Sequence, residues 1–100
     1  FKTILEVPGE NDGVQLLQNR PNPFESKTRI DFVLPKASNI RLTLSNILGD
    51  REIVLCEGNY SVGTHSIEVD ANTLGLESGV YVYTLQVDGN RISKYLVLTR

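Results

Sequence analysis

The chain has 100 residues, of which 40% are hydrophobic and 22% charged, with a formal net charge of -2. That suffices for one domain with one core, and it excludes both a basic nucleic-acid binder and an acidic, core-poor disordered chain. No apolar run approaches the roughly 20 residues of a membrane helix, and isoleucine, valine and threonine together count 24 against 2 alanines, a balance that favours strands.

The chain contains no methionine and opens on Phe1, so it reads as an excerpt from a longer protein. No signal peptide is expected, because Phe1-Lys2-Thr3-Ile4-Leu5 runs at once into Glu6 and Pro8. The stretch Glu6-Val7-Pro8-Gly9-Glu10-Asn11-Asp12-Gly13 combines permissive backbone with solvated charge, which is linker chemistry. Residues 1–14 are therefore assigned to the end of an upstream domain and its linker, and residues 15–100 to one folded module. Leu16 to Asn19 reads as a short strand. In Arg20-Pro21-Asn22-Pro23-Phe24 each proline pushes the residue before it to extended geometry, so the segment is a rigid loop with Phe24 as its anchor in the core.

Beyond the loop, apolar residues recur with period two. Ile30, Phe32 and Leu34 share one face of a strand over Thr28–Leu34. Ile40, Leu42 and Leu44 do so over Asn39–Ser45, with Arg41, Thr43 and Ser45 facing water. A weaker strand runs from Arg51 to Cys56, apolar on both sides. His65, Ile67 and Val69 alternate with Thr64, Ser66, Glu68 and Asp70. Asp70 is placed to cap one helical turn through Leu74. Tyr81, Tyr83, Leu85 and Val87 share a face, as do Ile92, Lys94, Leu96 and Leu98. Glycine-containing turns separate these runs, most sharply at Asp88-Gly89-Asn90, which suits the positive φ of a tight hairpin. The spacing predicts an all-β fold, an antiparallel immunoglobulin-like β-sandwich of about seven short strands.

Catalytic chemistry finds little support. The single histidine, His65, lies mid-strand beside Ile67 and Val69 and reads as a core-edge residue rather than a general base. The single cysteine, Cys56, excludes an internal disulfide and any Cys-rich metal site, and reads as a small buried thiol. Asp31, Glu68 and Asp70 are carboxylates of a solvated outer face; acid–base or calcium chemistry would need them gathered in a cleft. No metal and no cofactor is expected. A glycan platform would favour tryptophan, which is absent, and no phosphate-binding glycine loop occurs. Asn59-Tyr60-Ser61 matches a glycosylation sequon.

The segment Leu17-Gln18-Asn19-Arg20-Pro21-Asn22-Pro23-Phe24 resembles the opening of the C-terminal sorting domain of the type IX (Por) secretion system of Bacteroidota. The likeness continues through Thr28 to Pro35, Leu48-Gly49 and Gly63-Thr64-His65. It is strongest at Ser78-Gly79-Val80-Tyr81-Val82-Tyr83 and at Lys94 to Arg100, and spans Leu16 to the end. Departures fall in loops: Arg20 stands where an aromatic residue is common, and Asn46-Ile47 where aromatic-Asp precedes Leu-Gly. The immunoglobulin-like domain of flagellar hook-cap proteins shares the Asn-Pro-Phe and Gly-Val-Tyr ends but usually carries a longer, Trp-containing segment between them.

The resemblance implies a non-catalytic transport signal. Its parent would pass through the periplasm and be delivered to the cell surface or the medium. The implied partners are the outer-membrane translocon, its shuttle protein and a sortase-like peptidase. Cleavage would fall in the linker from Glu6 through Gly13 to Val14 and Gln15, since a protease needs extended, mobile backbone. The residues proposed for recognition are Gly79, Tyr81, Gly89, Lys94, Leu96 and Leu98. Gly79 is expected where backbones approach closely, and Lys94 interrupts the apolar face of Ile92, Leu96 and Leu98. An unpaired edge strand also carries a risk of self-association. The alternative reading is an immunoglobulin-like accessory module that binds glycan or protein for an extracellular enzyme. A minimal hydrolase is a third, and turnover lost on changing His65 would establish it.

Overall fold

A computed structural model describes residues 13–100. Seven strands and one short helix follow in the order β1 (Gln15–Leu16), β2 (Lys27–Leu34), β3 (Ser38–Asn46), β4 (Glu52–Tyr60), β5 (Gly63–Asp70), α1 (Ala71–Leu74), β6 (Gly79–Val87) and β7 (Asn90–Leu98). They form a three-stranded sheet, β1-β2-β5, and a four-stranded sheet, β4-β3-β6-β7, with every pairing antiparallel. This is the all-β, immunoglobulin-like sandwich that the alternation predicts.

The core is what the period-two reading supplies. Ile30, Phe32 and Leu34 from one sheet meet Ile40, Leu42, Leu44, Tyr83 and Leu85 from the other, all at most 1% exposed. Burying each such side chain is worth roughly 1.5–3 kcal/mol relative to leaving it in water. The local signals also hold. Asp70 caps α1 with its carboxylate, accepting from the backbone N–H of Asn72 at 3.0 Å and of Thr73 at 3.3 Å. Gly75 ends the turn in the left-handed region, at φ +67°. Asp88 (φ +49°) and Gly89 (φ +87°) make the two-residue turn joining β6 to β7, with positive φ at both positions as such hairpins require.

Three expectations change. The strand starting near Arg51 does not stop at Cys56; β4 runs to Tyr60, and Glu57-Gly58-Asn59 are paired with β3. The register slips by one residue between Leu42 and Thr43, so Leu42 faces Cys56 while Thr43 faces Val54. The extra residue, Leu55, is a bulge, and it breaks the alternation of this stretch. Thr43 is only 8% exposed despite lying on the outer face, because Val54 and Thr84 flank it across both strand pairings. The strand foreseen from Leu16 to Asn19 pairs as β1 only over Gln15–Leu16; the chain then leaves the sheet to begin a loop.

Candidate functional site

The candidate site is the assembly of β6, β7 and the loop Leu17–Phe24. The loop crosses the open side of the sandwich and bonds to both sheets. Toward β2, the Leu17 N–H donates to the Asp31 carbonyl at 3.0 Å, and Arg20 and Arg29 exchange two backbone bonds of 3.0 Å. Toward β7, Gln18 Nε2 donates to the Tyr95 carbonyl at 2.7 Å and Asn22 Oδ1 accepts from the Val97 N–H at 2.9 Å. The Phe24 N–H donates to the Val97 carbonyl at 3.0 Å, and the Thr99 N–H donates to the Phe24 carbonyl at 2.8 Å. The loop thus acts as a short parallel strand on the C-terminal half of β7. Both prolines follow cis bonds, Arg20–Pro21 and Asn22–Pro23.

Of the four loop residues singled out in the sequence, Phe24 is the anchor, 2% exposed, while Pro21, Asn22 and Pro23 are exposed. Asn22 works through its side chain, as the partner of Val97.

Within β6 and β7, Tyr81, Leu96 and Leu98 are buried, so these side chains build the strands rather than present themselves. The Tyr81 hydroxyl donates to the Glu77 carbonyl at 2.6 Å and accepts from the Glu77 N–H at 3.1 Å, bracing the turn ahead of β6. This is the tyrosine corner of immunoglobulin-like sandwiches. Gly79 and Gly89 are exposed and Lys94 is half-buried, opposite Tyr83 in the β6–β7 register. The close backbone approach expected at Gly79 is absent. A Cβ there would meet no atom within 4 Å, and glycine is required instead by a φ of +153°.

The strongest link between loop and strand was not foreseen. Tyr83, fully buried, donates from its hydroxyl to the Leu17 carbonyl at 2.7 Å and accepts from the Asn19 N–H at 2.9 Å. Burial pushes its pKa up to about 12. Asn19, 1% exposed, donates from Nδ2 to the Pro21 carbonyl at 3.1 Å and to Thr28 Oγ1 at 3.0 Å. Thr28 Oγ1 in turn donates to the Pro21 carbonyl at 2.7 Å. The available signal was Thr28 itself, a polar residue in phase with Ile30, Phe32 and Leu34.

The residues considered for chemistry are dispersed or already engaged. Asp31 is not solvated as expected but only 8% exposed, because it accepts from Ser66 Oγ at 2.6 Å and lies beneath Arg29 at 3.2 Å and Arg20 at 3.3 Å. The Ser66 bond, then the two guanidiniums, hold its carboxyl below the usual range, against an opposing effect of burial. His65 packs against Phe32 and Tyr60, with Nε2 2.8 Å from the Ser61 carbonyl. Cys56 is half-buried rather than fully buried, and desolvation raises its pKa. Among the described residues no group of three or more His, Cys, Asp or Glu side chains could hold a metal ion, and no helix is long and apolar enough to cross a membrane.

In the linker assigned to cleavage, residues 6–12 lie outside the described structure. Gly13 is exposed, Val14 is 6% exposed in the core, and Gln15 pairs with Val33.

A family model described as the secretion system C-terminal sorting domain matches residues 20–99. No curated protein matches the chain.

Proposed function

The chain belongs to the family of secretion system C-terminal sorting domains, and on that premise we propose that it is recognised as a folded unit by the outer-membrane translocon of a type IX system and its shuttle protein. The observation that supports this reading most is that the family match covers Arg20–Phe24 of the proline loop and the final strand together, and these two bond to each other along Val97–Thr99. A signal built this way exists only when the domain is folded, since its parts lie at opposite ends of the sequence.

Recognition is assigned to β6 and β7. Tyr81, Leu96 and Leu98 act by fixing these strands, and Gly79, Gly89 and Lys94 are the members of the set within a partner's reach. The domain carries no chemistry of its own in this reading; it delivers its parent through the periplasm to the surface or medium. A sortase-like peptidase then removes it, cutting before Val14, because from Val14 onward the backbone is held in the sandwich.

Deletion separates this function from an accessory binding module. A parent lacking residues 15–100 accumulates in the periplasm if the domain sorts. If the parent still reaches the surface and only loses affinity for a glycan or protein, the sorting role is wrong.

A further inference from the structure

The outward edge of β7 carries its backbone groups on odd-numbered residues. The Tyr95 carbonyl, both groups of Val97 and the Thr99 N–H all point away from β6, to Gln18, Asn22 and Phe24. Alternation places the N–H and C=O of Arg91 and Ser93, and the N–H of Tyr95, on the same edge. Among the described residues these groups have no partner. The bare stretch is bounded by the Asp88–Gly89 turn on one side and by Gln18 on the other.

Two cations flank this stretch, Arg91 on the outer face and Lys94 on the inner face. Neither has a carboxylate within 4.0 Å among the described residues. The outer face beside them is uncharged: Val80 lies opposite Val97, Val82 opposite Tyr95, and Thr84 Oγ1 is 2.8 Å from Ser93 Oγ. Tyr95 itself is 64% exposed.

We infer that the edge from Arg91 to Tyr95 is a docking site for an extended, acidic segment of a protein partner, which adds to β7 as a further strand. The identity of that partner as part of the secretion apparatus rests on the sorting function proposed above; the chemistry of the edge does not. Main-chain pairing supplies the attraction, and Arg91 and Lys94 select an acidic strand over a basic one. A second copy of this chain fits less well. Antiparallel pairing about Ser93 sets each Lys94 diagonal to its counterpart on the same face, and edge cations of this kind oppose self-pairing.

The test uses the full chain and two short synthetic peptides of alternating valine and threonine, one bearing glutamates and the other lysines. Amide shifts and hydrogen exchange are followed by NMR. The acidic peptide is expected to shift and protect the amides of Arg91, Ser93 and Tyr95, and the basic peptide to leave them unchanged. Ser93→Pro removes the central outward N–H at an edge position where proline is tolerated, and abolishes the response. The double change Arg91→Gln, Lys94→Gln keeps the fold and weakens binding about tenfold, as loss of partly exposed ion pairs does. Unmoved amides, equal response to both peptides, or a peptide-free dimer protecting the same amides would each overturn the inference. A wild-type reporter that is not exported while the acidic peptide still binds refutes the sorting function and leaves the edge site standing. Export with no peptide response refutes the edge site alone.

Discussion

The two halves of β7 share one strand, one hydrogen-bonding partner in β6 and one core face, yet their outer edges differ completely. From the Tyr95 carbonyl to the Thr99 N–H the outward groups are taken by Gln18, Asn22 and Phe24. From Arg91 to the Tyr95 N–H they are bare among the described residues. The burial follows the same division: Leu96 and Leu98 are at most 1% exposed, whereas Ile92 and Lys94 are half-buried. Among the described residues, half of this terminal strand is therefore paired with the protein's own loop and half has no backbone partner on its outer edge. An edge sealed along its whole length would offer no backbone to a partner, and one open along its whole length would invite aggregation.

The comparison is broken most severely by emptying the closed half. Phe24→Ala leaves a cavity between β7 and the core and should cost about 3–5 kcal/mol in denaturant unfolding. It should also raise hydrogen exchange at Val97 and Thr99 well before Lys94 or Ile92 is affected. A loss below about 1 kcal/mol would mean that the loop does not hold the strand.

A smaller effect is expected at Tyr83→Phe, which strips the buried Asn19 N–H and the partly buried Leu17 carbonyl of their partner, at about 1–3 kcal/mol. The pH dependence carries its own sign. The folded pKa of Tyr83 lies above its ordinary 10.0, so the neutral phenol is favoured on folding. This contribution is whole below pH 10.0 and is lost as pH rises through about 12. Alkaline unfolding curves should therefore fall less steeply across that window in Tyr83→Phe than in the parent chain.

Asp31 behaves oppositely. Its folded pKa is depressed below 3.8, so its contribution is present above that pH and disappears as acid titrates it below 3.8. Asp31→Asn should cost roughly 1 kcal/mol near neutrality, both arginine partners being largely exposed. Its acid-unfolding curve should be flatter than the parent's. The smallest effect belongs to the open half: Arg91→Ala should change stability by no more than about 0.5 kcal/mol, since nothing described depends on its side chain. A larger loss in thermal melts would show that this half is structural after all.

Much of the sandwich was legible because β2, β3, β6 and β7 alternate cleanly and their turns carry glycine or proline. Strand β4 was legible only as far as Cys56, because the bulge at Leu55 shifts the period within a single strand. Asp70 and Asp88-Gly89 were readable since caps and hairpins are decided by neighbouring residues. The bonds from Gln18 and Asn22 to β7 join residues 75 or more positions apart, and no local pattern encodes which strand edge a loop will cover. Likewise Tyr83 reads as packing from its phase alone; that its hydroxyl holds the loop emerges only once Leu17 and Asn19 are brought to it.

The central claim, that the folded unit of loop and strand is itself the export signal, is tested most directly by transplantation. A fluorescent reporter with a signal peptide is fused to residues 1–100 and placed in a type IX-competent bacterium and in its translocon-deficient twin. The account predicts delivery to the surface or medium in the competent strain alone, with the released mass locating any cut before Val14. Retention in the periplasm of both strains would contradict it.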